Sequence, residues 1–368
     1  MKLHRSTGLF VACGSLALGV AACGSSNNSA DGGGDTAADS SLSGSIAGAG
    51  ASTQAAAQEA WAAGFQTKNS GTTVSYDPVG SGGGREQFVA GGKILFAGSD
   101  AALEGDELAA AQKRCGGPDN LIEAPIYISP IAIAYNLDGV DNLQLSPQTL
   151  ASIFKRDIKK WNDPKIAKDN PDAKLPDTRI ATVHRSDESG TTENFVDYLS
   201  VAAPDVWKFE VSGDWPVKGG EAAQGTSGVV GAIKAGSGTI GYADESQARD
   251  LSIAKIKVGE EFVEPSTEAA AKIVDASPES DDPGKYVFTY KLARDTTESG
   301  AYPIVLASYE IACTKYDTPA DGELVKAYLG YISGAEGQKV AADAAGSAPI
   351  SDKLNEQVQS AVDAIGGT

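Results

Sequence analysis

The stretch His184-Arg185-Ser186-Asp187-Glu188-Ser189-Gly190-Thr191-Thr192 joins a strand to a helix. Before it, Ile180, Thr182 and His184 point one way while Ala181, Val183 and Arg185 point the other, which predicts a strand that sends Arg185 to a different face from His184. After it, Phe195, Leu199 and Ala202 fall four and three apart, which predicts a helix burying one stripe and beginning near Ser189 or Gly190. The first turn of such a helix carries unpaired N–H donors and the positive end of the helix dipole, both aimed at whatever lies in front of Ser189-Gly190-Thr191. Gly190 lets the backbone approach a ligand closely, and Ser189 and Thr191 add hydroxyl donors. Arg185 supplies a planar fork suited to two oxygens of a tetrahedral anion, and Asp187 can hold that fork in place. The plainer reading is a capped helix with a surface salt bridge; three further segments of the same character weigh against it.

Gly48-Ala49-Gly50-Ala51-Ser52-Thr53 follows the apolar Ser45-Ile46-Ala47 and precedes an amphipathic helix with Trp61 and Phe65 four apart. It is neither a P-loop nor a dinucleotide fingerprint, because no Gly-Lys-Ser/Thr follows and Thr53 replaces the third glycine. Gly80-Ser81-Gly82-Gly83-Gly84-Arg85 follows the strand-like Val74-Ser75-Tyr76 and leads into a helix through Phe88, and its consecutive N–H groups can form an anion-holding nest. Ile94-Leu95-Phe96-Ala97-Gly98-Ser99-Asp100 reads as a short buried strand ending in an acid. A carboxylate only accepts hydrogen bonds, so it belongs in an anion pocket when the anion has an O–H to give, as hydrogen phosphate does and ionised sulfate does not. A buried site built on such a bond rejects the analogue lacking the donor by roughly 10⁴ to 10⁵. The alternative for Asp100 is an N-cap of a helix beginning Ala101-Ala102-Leu103.

These four segments, in this order, resemble the phosphate-binding subunit of bacterial phosphate ABC importers, the PstS family. The likeness continues through Ile158-Lys159-Lys160-Trp161-Asn162-Asp163-Pro164 and Gly238-Thr239-Ile240-Gly241-Tyr242-Ala243 and covers most of 42 to 350. The resemblance implies phosphate ligands at Ser52, Thr53, Ser81, Asp100, Arg185, Ser189, Gly190 and Thr191, with Asp187 pairing to Arg185. Thr53 stands where many relatives carry a bulky aromatic whose backbone N–H contacts the anion, so that contact can persist with different local packing. The resemblance also implies an α/β, two-lobed periplasmic-binding-protein-like (type II) fold with two hinge crossovers, near Ile128 and near Tyr302, and the ligand in the interlobe cleft. Residues 42–127 and 302–368 would form the first lobe and 128–301 the second. Closure over the anion would be the signal read by the ABC permease subunits, with no cofactor and with the protein acting as a monomer.

Read from the residues alone, strands alternate with helices: Ile126 to Tyr135, a helix entered by Ser146-Pro147 with Leu150, Ile153 and Phe154 on one face, then Ile180 to Arg185, then Thr239 to Tyr242. The pattern predicts α/β architecture with largely parallel sheets and a ligand at the carboxyl ends of strands. The roughly 325 residues beyond the N-terminal region exceed one small core and suit two lobes. Residues 255 to 300, with Asp281-Asp282-Pro283-Gly284, read as an elaborated loop region of no evident role.

Composition predicts an exported, membrane-tethered globule. Met1 to Ala22 has Lys2 and Arg5, an apolar run around Leu9 to Val20, and the box Val20-Ala21-Ala22-Cys23, which predicts a lipoprotein signal peptide (1–22) and lipid on Cys23. Phe10-Val11-Ala12-Cys13 is a poorer box, since cleavage there leaves too short an apolar core. Residues 23–41, rich in Gly, Ser, Asn, Asp and Ala, read as a flexible tether. Loss of the leader takes the net charge from −19 to −21. No other run is long and apolar enough to span a bilayer. Cys115 and Cys313 remain; in an oxidising exterior they pair as a disulfide, the alternative being two separate buried thiols. A metal site is not expected, because His184 is the only histidine left and there is no paired-cysteine motif.

So acidic a chain excludes nucleic acid as a partner and places affinity for an anion in local contacts, which survive because long-range repulsion is screened beyond about 8 Å at physiological ionic strength. Two other functions compete with phosphate binding. One is a receptor for another oxyanion, such as sulfate, molybdate or tungstate, for which Asp100 is the discriminating residue. The other is a secreted serine hydrolase or phosphatase using Ser189 or Ser81. Against it, Ser189 has no Gly-x-Ser-x-Gly elbow and the only imidazole lies on the opposite strand face from Arg185.

Overall fold

The computed structural model describes residues 42–280 and 284–366. Cys23, the leader and the tether lie outside the described residues. Strands β1 (Ser43–Gly50), β2 (Gly71–Asp77) and β3 (Ile94–Ser99) are parallel, in the order β2-β1-β3. They are joined by helices α1 (Ala55–Lys68) and α2 (Ser81–Ala90). Trp61 and Phe65 are buried on one side of α1, as their spacing requires, with Phe65 edge-on to Tyr328 at 5.3 Å.

After helix α3 (Gly105–Arg114) comes β4 (Leu121–Asn136), a sixteen-residue strand that organises the molecule. The shorter strands β5 (Gln144–Leu145), β6 (Ala181–Arg185), β7 (Glu221–Ala223), β8 (Thr239–Asp244), β9 (Ser252–Ile253), β10 (Lys255–Val258), β11 (Glu261–Val263) and β12 (Tyr286–Val287) follow, and β13 (Val305–Cys313) completes the set. Among them lie helices α4 (Pro147–Phe154), α5 (Pro164–Asp169), α6 (Gly190–Ala202), α7 (Gly225–Ala235), α8 (Glu245–Ala248) and α9 (Thr267–Ala276). The chain ends in α10 (Pro319–Ser333), α11 (Ala335–Ala345) and α12 (Asp352–Asp363).

The main sheet runs β2-β1-β3-β13-β4-β8-β6-β7, with β9 and β12 also paired to β4. Residues 121–130 of β4 pair antiparallel with β13, and residues 131–136 pair antiparallel with β8. The change of partner falls at Pro130, which has no N–H to give a ladder. A second irregularity falls opposite Ser308 and Tyr309, beside Pro125. The flanks of the sheet are parallel, but its centre is antiparallel, which corrects the expectation of largely parallel sheets. β4 is buried along almost its whole length on both faces, so its apolar run carries no mark of strand direction. The return strand passes beside the outgoing one: Ile131 N–H donates to the Ile304 carbonyl at 2.7 Å, and the Tyr302 hydroxyl donates to the Ile131 carbonyl at 2.9 Å.

Cys115 and Cys313 form a disulfide, with Cα atoms 5.2 Å apart and a sequence separation of 198. It ties the end of α3 to the end of β13, and closing so long a loop contributes about 2–4 kcal/mol. The 255–300 region holds more regular structure than expected, with the β10–β11 hairpin and α9, whose N-cap Ser266 accepts from Ala269 N–H. Among the described residues, no helix is long and apolar enough to cross a membrane.

Candidate anion site

Four strand ends converge on one point. Ser52 and Thr53 lie in a 3-10 turn after β1, Ser81 opens α2 after β2, and Asp100 follows β3. Arg185 ends β6, and Ser189 caps α6, with Gly190 and Thr191 in its first turn. All are buried, Asp100 and Arg185 to 3% exposure each. The hydrogen bonds show what each group still has to offer. Ser81 Oγ accepts from Asp100 N–H at 3.2 Å and Ser189 Oγ from Thr192 N–H at 3.3 Å, so both keep their hydroxyl hydrogen for another acceptor. Ser52 Oγ accepts from Thr226 N–H at 3.0 Å and shares a 2.9 Å hydroxyl bond with Thr226 Oγ1. Gly190 has to be glycine, since a Cβ there would come within 2.7 Å of the Asp100 side chain.

Arg185 is fixed by Asp187, which accepts from Nε at 2.8 Å and from Nη2 at 2.5 Å, while Nη1 reaches Thr191 Oγ1 at 3.4 Å. Of the five N–H bonds of the guanidinium, two remain for an anion. Burial raises the Asp187 pKa, but the Arg185 pair and the Gly225 N–H more than offset it and leave the group below its ordinary range.

Asp100 is saturated on one oxygen. Oδ1 accepts from Thr53 Oγ1 and from Ser308 Oγ, both at 2.7 Å, while Oδ2 takes only Thr191 Oγ1 at 3.1 Å. Oδ2 therefore has one lone pair left, and only a donor can fill it. Ser308 has no choice of role: Gln54 Nε2 donates to its oxygen at 2.8 Å, so its hydrogen goes to Asp100. Behind it Gln58 donates to Glu310 at 2.7 Å and accepts from the Tyr328 hydroxyl at 2.8 Å, which fixes the direction of the network. Burial pushes the Asp100 carboxyl above its usual range, opposed by the three hydroxyls and by Arg185. Asp100 is not a helix cap, because the next helix starts at Gly105 behind Glu104.

His184 stacks on Trp215 with centroids 5.3 Å apart, and its Nδ1 lies 2.9 Å from the Arg185 carbonyl. It packs the strand and is not placed to serve as a base. Beside Asp100 a cleft of about 860 Å³ opens, lined by Glu104, Glu193, Asp197 and Arg294 among others. Burial raises Glu193 to about 7, helped by Glu188, Glu104 and Asp197 against the opposing charge of Arg85. Its carboxylates set that cleft apart from the junction of helix starts, where the candidate donors gather.

Sequence reasoning missed several residues around this point. Thr226 and Gly225 begin α7, and Gly225 N–H donates to Asp187 Oδ1 at 3.1 Å. The string Gly225-Thr226-Ser227-Gly228 before Val229 and Ile233 has the composition of the other junctions, and that signal was available. Asn194 and Arg294 left no such mark. Asn194 Nδ2 donates to the Asp100 carbonyl at 2.6 Å, and its Oδ1 accepts from Arg294. Arg294 also donates to the carbonyls of Pro303 and Val305, so the segment read as an elaborated loop supplies a brace between α6 and the returning strand.

This architecture, with a sheet divided at a shared long strand and helix starts converging between its halves, defines a binding protein of the PBP superfamily: the family model for the PBP superfamily domain matches residues 35–336. The chain belongs to the PstS family of phosphate-binding proteins. It is 36% identical over 375 residues to phosphate-binding protein PstS3 of Mycobacterium bovis, covering 99% of this chain and 100% of that one. It is 35% identical over 310 residues to PstS of Pasteurella multocida, covering 81% of this chain and 84% of that one. Its fold matches that of the high affinity periplasmic phosphate-binding protein PfluDING, bound with phosphate, at a TM-score of 0.70 and 23% identity over 86% of this chain and 93% of that one. It also matches a putative phosphate ABC transporter substrate-binding protein from Clostridium perfringens with bound phosphate, at 0.59 and 18% identity over 84% and 100%. The type II periplasmic-binding-protein-like class expected from the sequence is the class these folds share.

Proposed function

We propose that this protein binds inorganic phosphate outside the cytoplasm and delivers it to the permease of an ABC importer. It is a transport component and not an enzyme, as its relatives named phosphate-binding proteins are. The observation that carries the phosphate reading is the single free acceptor on Asp100 facing a set of donors: Ser52, Ser81, Ser189, the N–H groups of Thr53, Gly190 and Thr191, and the two spare N–H bonds of Arg185. A tetrahedral anion that also carries a proton satisfies every one of them. Sulfate fills the donors but leaves Asp100 Oδ2 facing its lone pairs, which disfavours the reading as a sulfate receptor.

In this reading residues 42–127 and 302–368 form one lobe and 128–301 the other. The partner change in β4 at Pro130 and the neighbouring Tyr302–Ile304 contacts support two adjacent crossings, and the anion is gripped between Ser52, Ser81 and Asp100 on one side and Arg185 to Thr191 on the other. Lipid on Cys23 would hold a monomer to the outer face of the cell membrane through the tether of residues 23–41. Titration calorimetry of the purified protein tests the function. Phosphate should saturate at one equivalent and sulfate should give no measurable heat at the same concentration; equal binding of both would transfer the protein to the general oxyanion receptors.

A further inference from the structure

We propose that Arg85 and Glu188 form a latch across the cleft that sets how long the closed protein holds its anion, an inference that rests on the phosphate-binding reading above. Arg85, on α2, is 6% exposed at its side chain and is anchored on its own side by Glu107 Oε2, which accepts from Nε at 2.8 Å, and by Ser99 Oγ, which accepts from Nη1 at 2.9 Å. Its remaining nitrogen, Nη2, donates to Glu188 Oε1 at 3.1 Å. Glu188 belongs to the other half of the sheet, between Asp187, which fixes Arg185, and Ser189, which caps α6. Burial works against the guanidinium charge, but Glu188 and Glu107 more than offset it.

A second, independent observation concerns space. The Glu188 side chain lies in a slot between Gly82 of α2 and Gly213 of the opposite half, and a Cβ added at either glycine would overlap the Glu188 carboxyl group. Gly213 is itself held against the site, because its carbonyl accepts from Ser189 N–H at 3.1 Å. The slot therefore exists only when the two halves meet, and the charge that fills it finds its partner only there. Neither side chain is needed as a ligand to the anion. The pair acts on the closed state, so it should slow release while leaving encounter unchanged.

The test is the rate at which labelled inorganic phosphate leaves the full protein when chased with excess unlabelled phosphate. Glu188→Gln, which keeps the shape of the side chain and removes its charge, should release roughly 3- to 30-fold faster with an unchanged association rate. Gly82→Ala leaves both charges intact but blocks the slot, and it should shift release in the same direction even if an Arg85 variant does not fold. Arg85→Gln combined with Glu188→Gln should be no faster than the faster single variant. A wild-type release rate in Glu188→Gln, or additive effects in the double variant, would overturn the latch. Failure of the unmodified protein to retain phosphate would overturn the phosphate reading along with it.

Discussion

At the scale of single residues, selectivity turns on which atoms have hydrogens to spare. Asp100 Oδ1 is filled by Thr53 and Ser308, and Oδ2 is half filled by Thr191, so the site has one acceptor to offer and many donors. Asp100→Asn replaces an acceptor with a group that can donate. The phosphate-to-sulfate affinity ratio should fall by roughly 10²-fold or more, since an isosteric amide can turn its N–H toward either anion; competition titration measures it, and an unchanged ratio would remove Asp100 from the selectivity account. The site residues named from the sequence meet in space because each sits at a glycine-flanked junction, which is a local signal. The residues that direct them do not share it. Ser308 lies mid-strand in β13 and Asn194 inside α6, positions whose sequence context reads as ordinary core.

At the scale of elements, β4 decides how the halves join, and it carries a cost. Glu123 lies in it at 0% exposure, with Oε1 accepting from Leu103 N–H at 2.7 Å. Burial raises its pKa to about 8, against that hydrogen bond and the charge of Arg85. The folded protein therefore keeps a proton that the unfolded chain gives up near 4.5, so Glu123 stabilises the fold least above the higher value and stability falls as pH rises between the two. Asp244 in β8, raised by burial to about 7, acts in the same sense. Thermal melts should show Glu123→Gln losing less stability than the parent between about pH 5 and about pH 8, each realised pKa unit being worth about 1.4 kcal/mol. Equal slopes would mean that Glu123 is ionised in the folded protein. Helix and strand positions were legible at α1, α4, α6 and β6, where apolar residues recur at the spacing of the element. Pairing direction in β4 was not, because a strand buried on both faces loses the alternation that carries it. Helix α9 escaped for a different reason: its apolar residues Ala269, Ala270, Ile273 and Val274 are few and small, and they follow a stretch of polar residues.

For the whole molecule, the problem is an acidic protein that holds an anion. The chain carries a net charge of −19, and the cleft beside the site is itself lined with Glu104, Glu193 and Asp197. A net negative charge offers an anion no long-range attraction, so in the proposed site affinity would come from neutral donors, helix starts and one guanidinium acting at contact distance. In the two-lobed reading proposed above, closure would be the step that assembles them, because Ser52 meets Thr226, Asp100 meets Thr191 and Asn194, and Arg85 meets Glu188 across the two lobes. The two-lobed plan was visible in chain length and family likeness, whereas the single long strand shared by both halves depends on contacts far apart in sequence. The most direct test is a crystal structure of the protein with phosphate bound. The tetrahedral anion should lie within hydrogen-bonding distance of Ser52, Ser81, Arg185, Ser189 and Thr191, with one of its oxygens against Asp100 Oδ2; an anion seated elsewhere, or one at this point that avoids Asp100, would contradict the account.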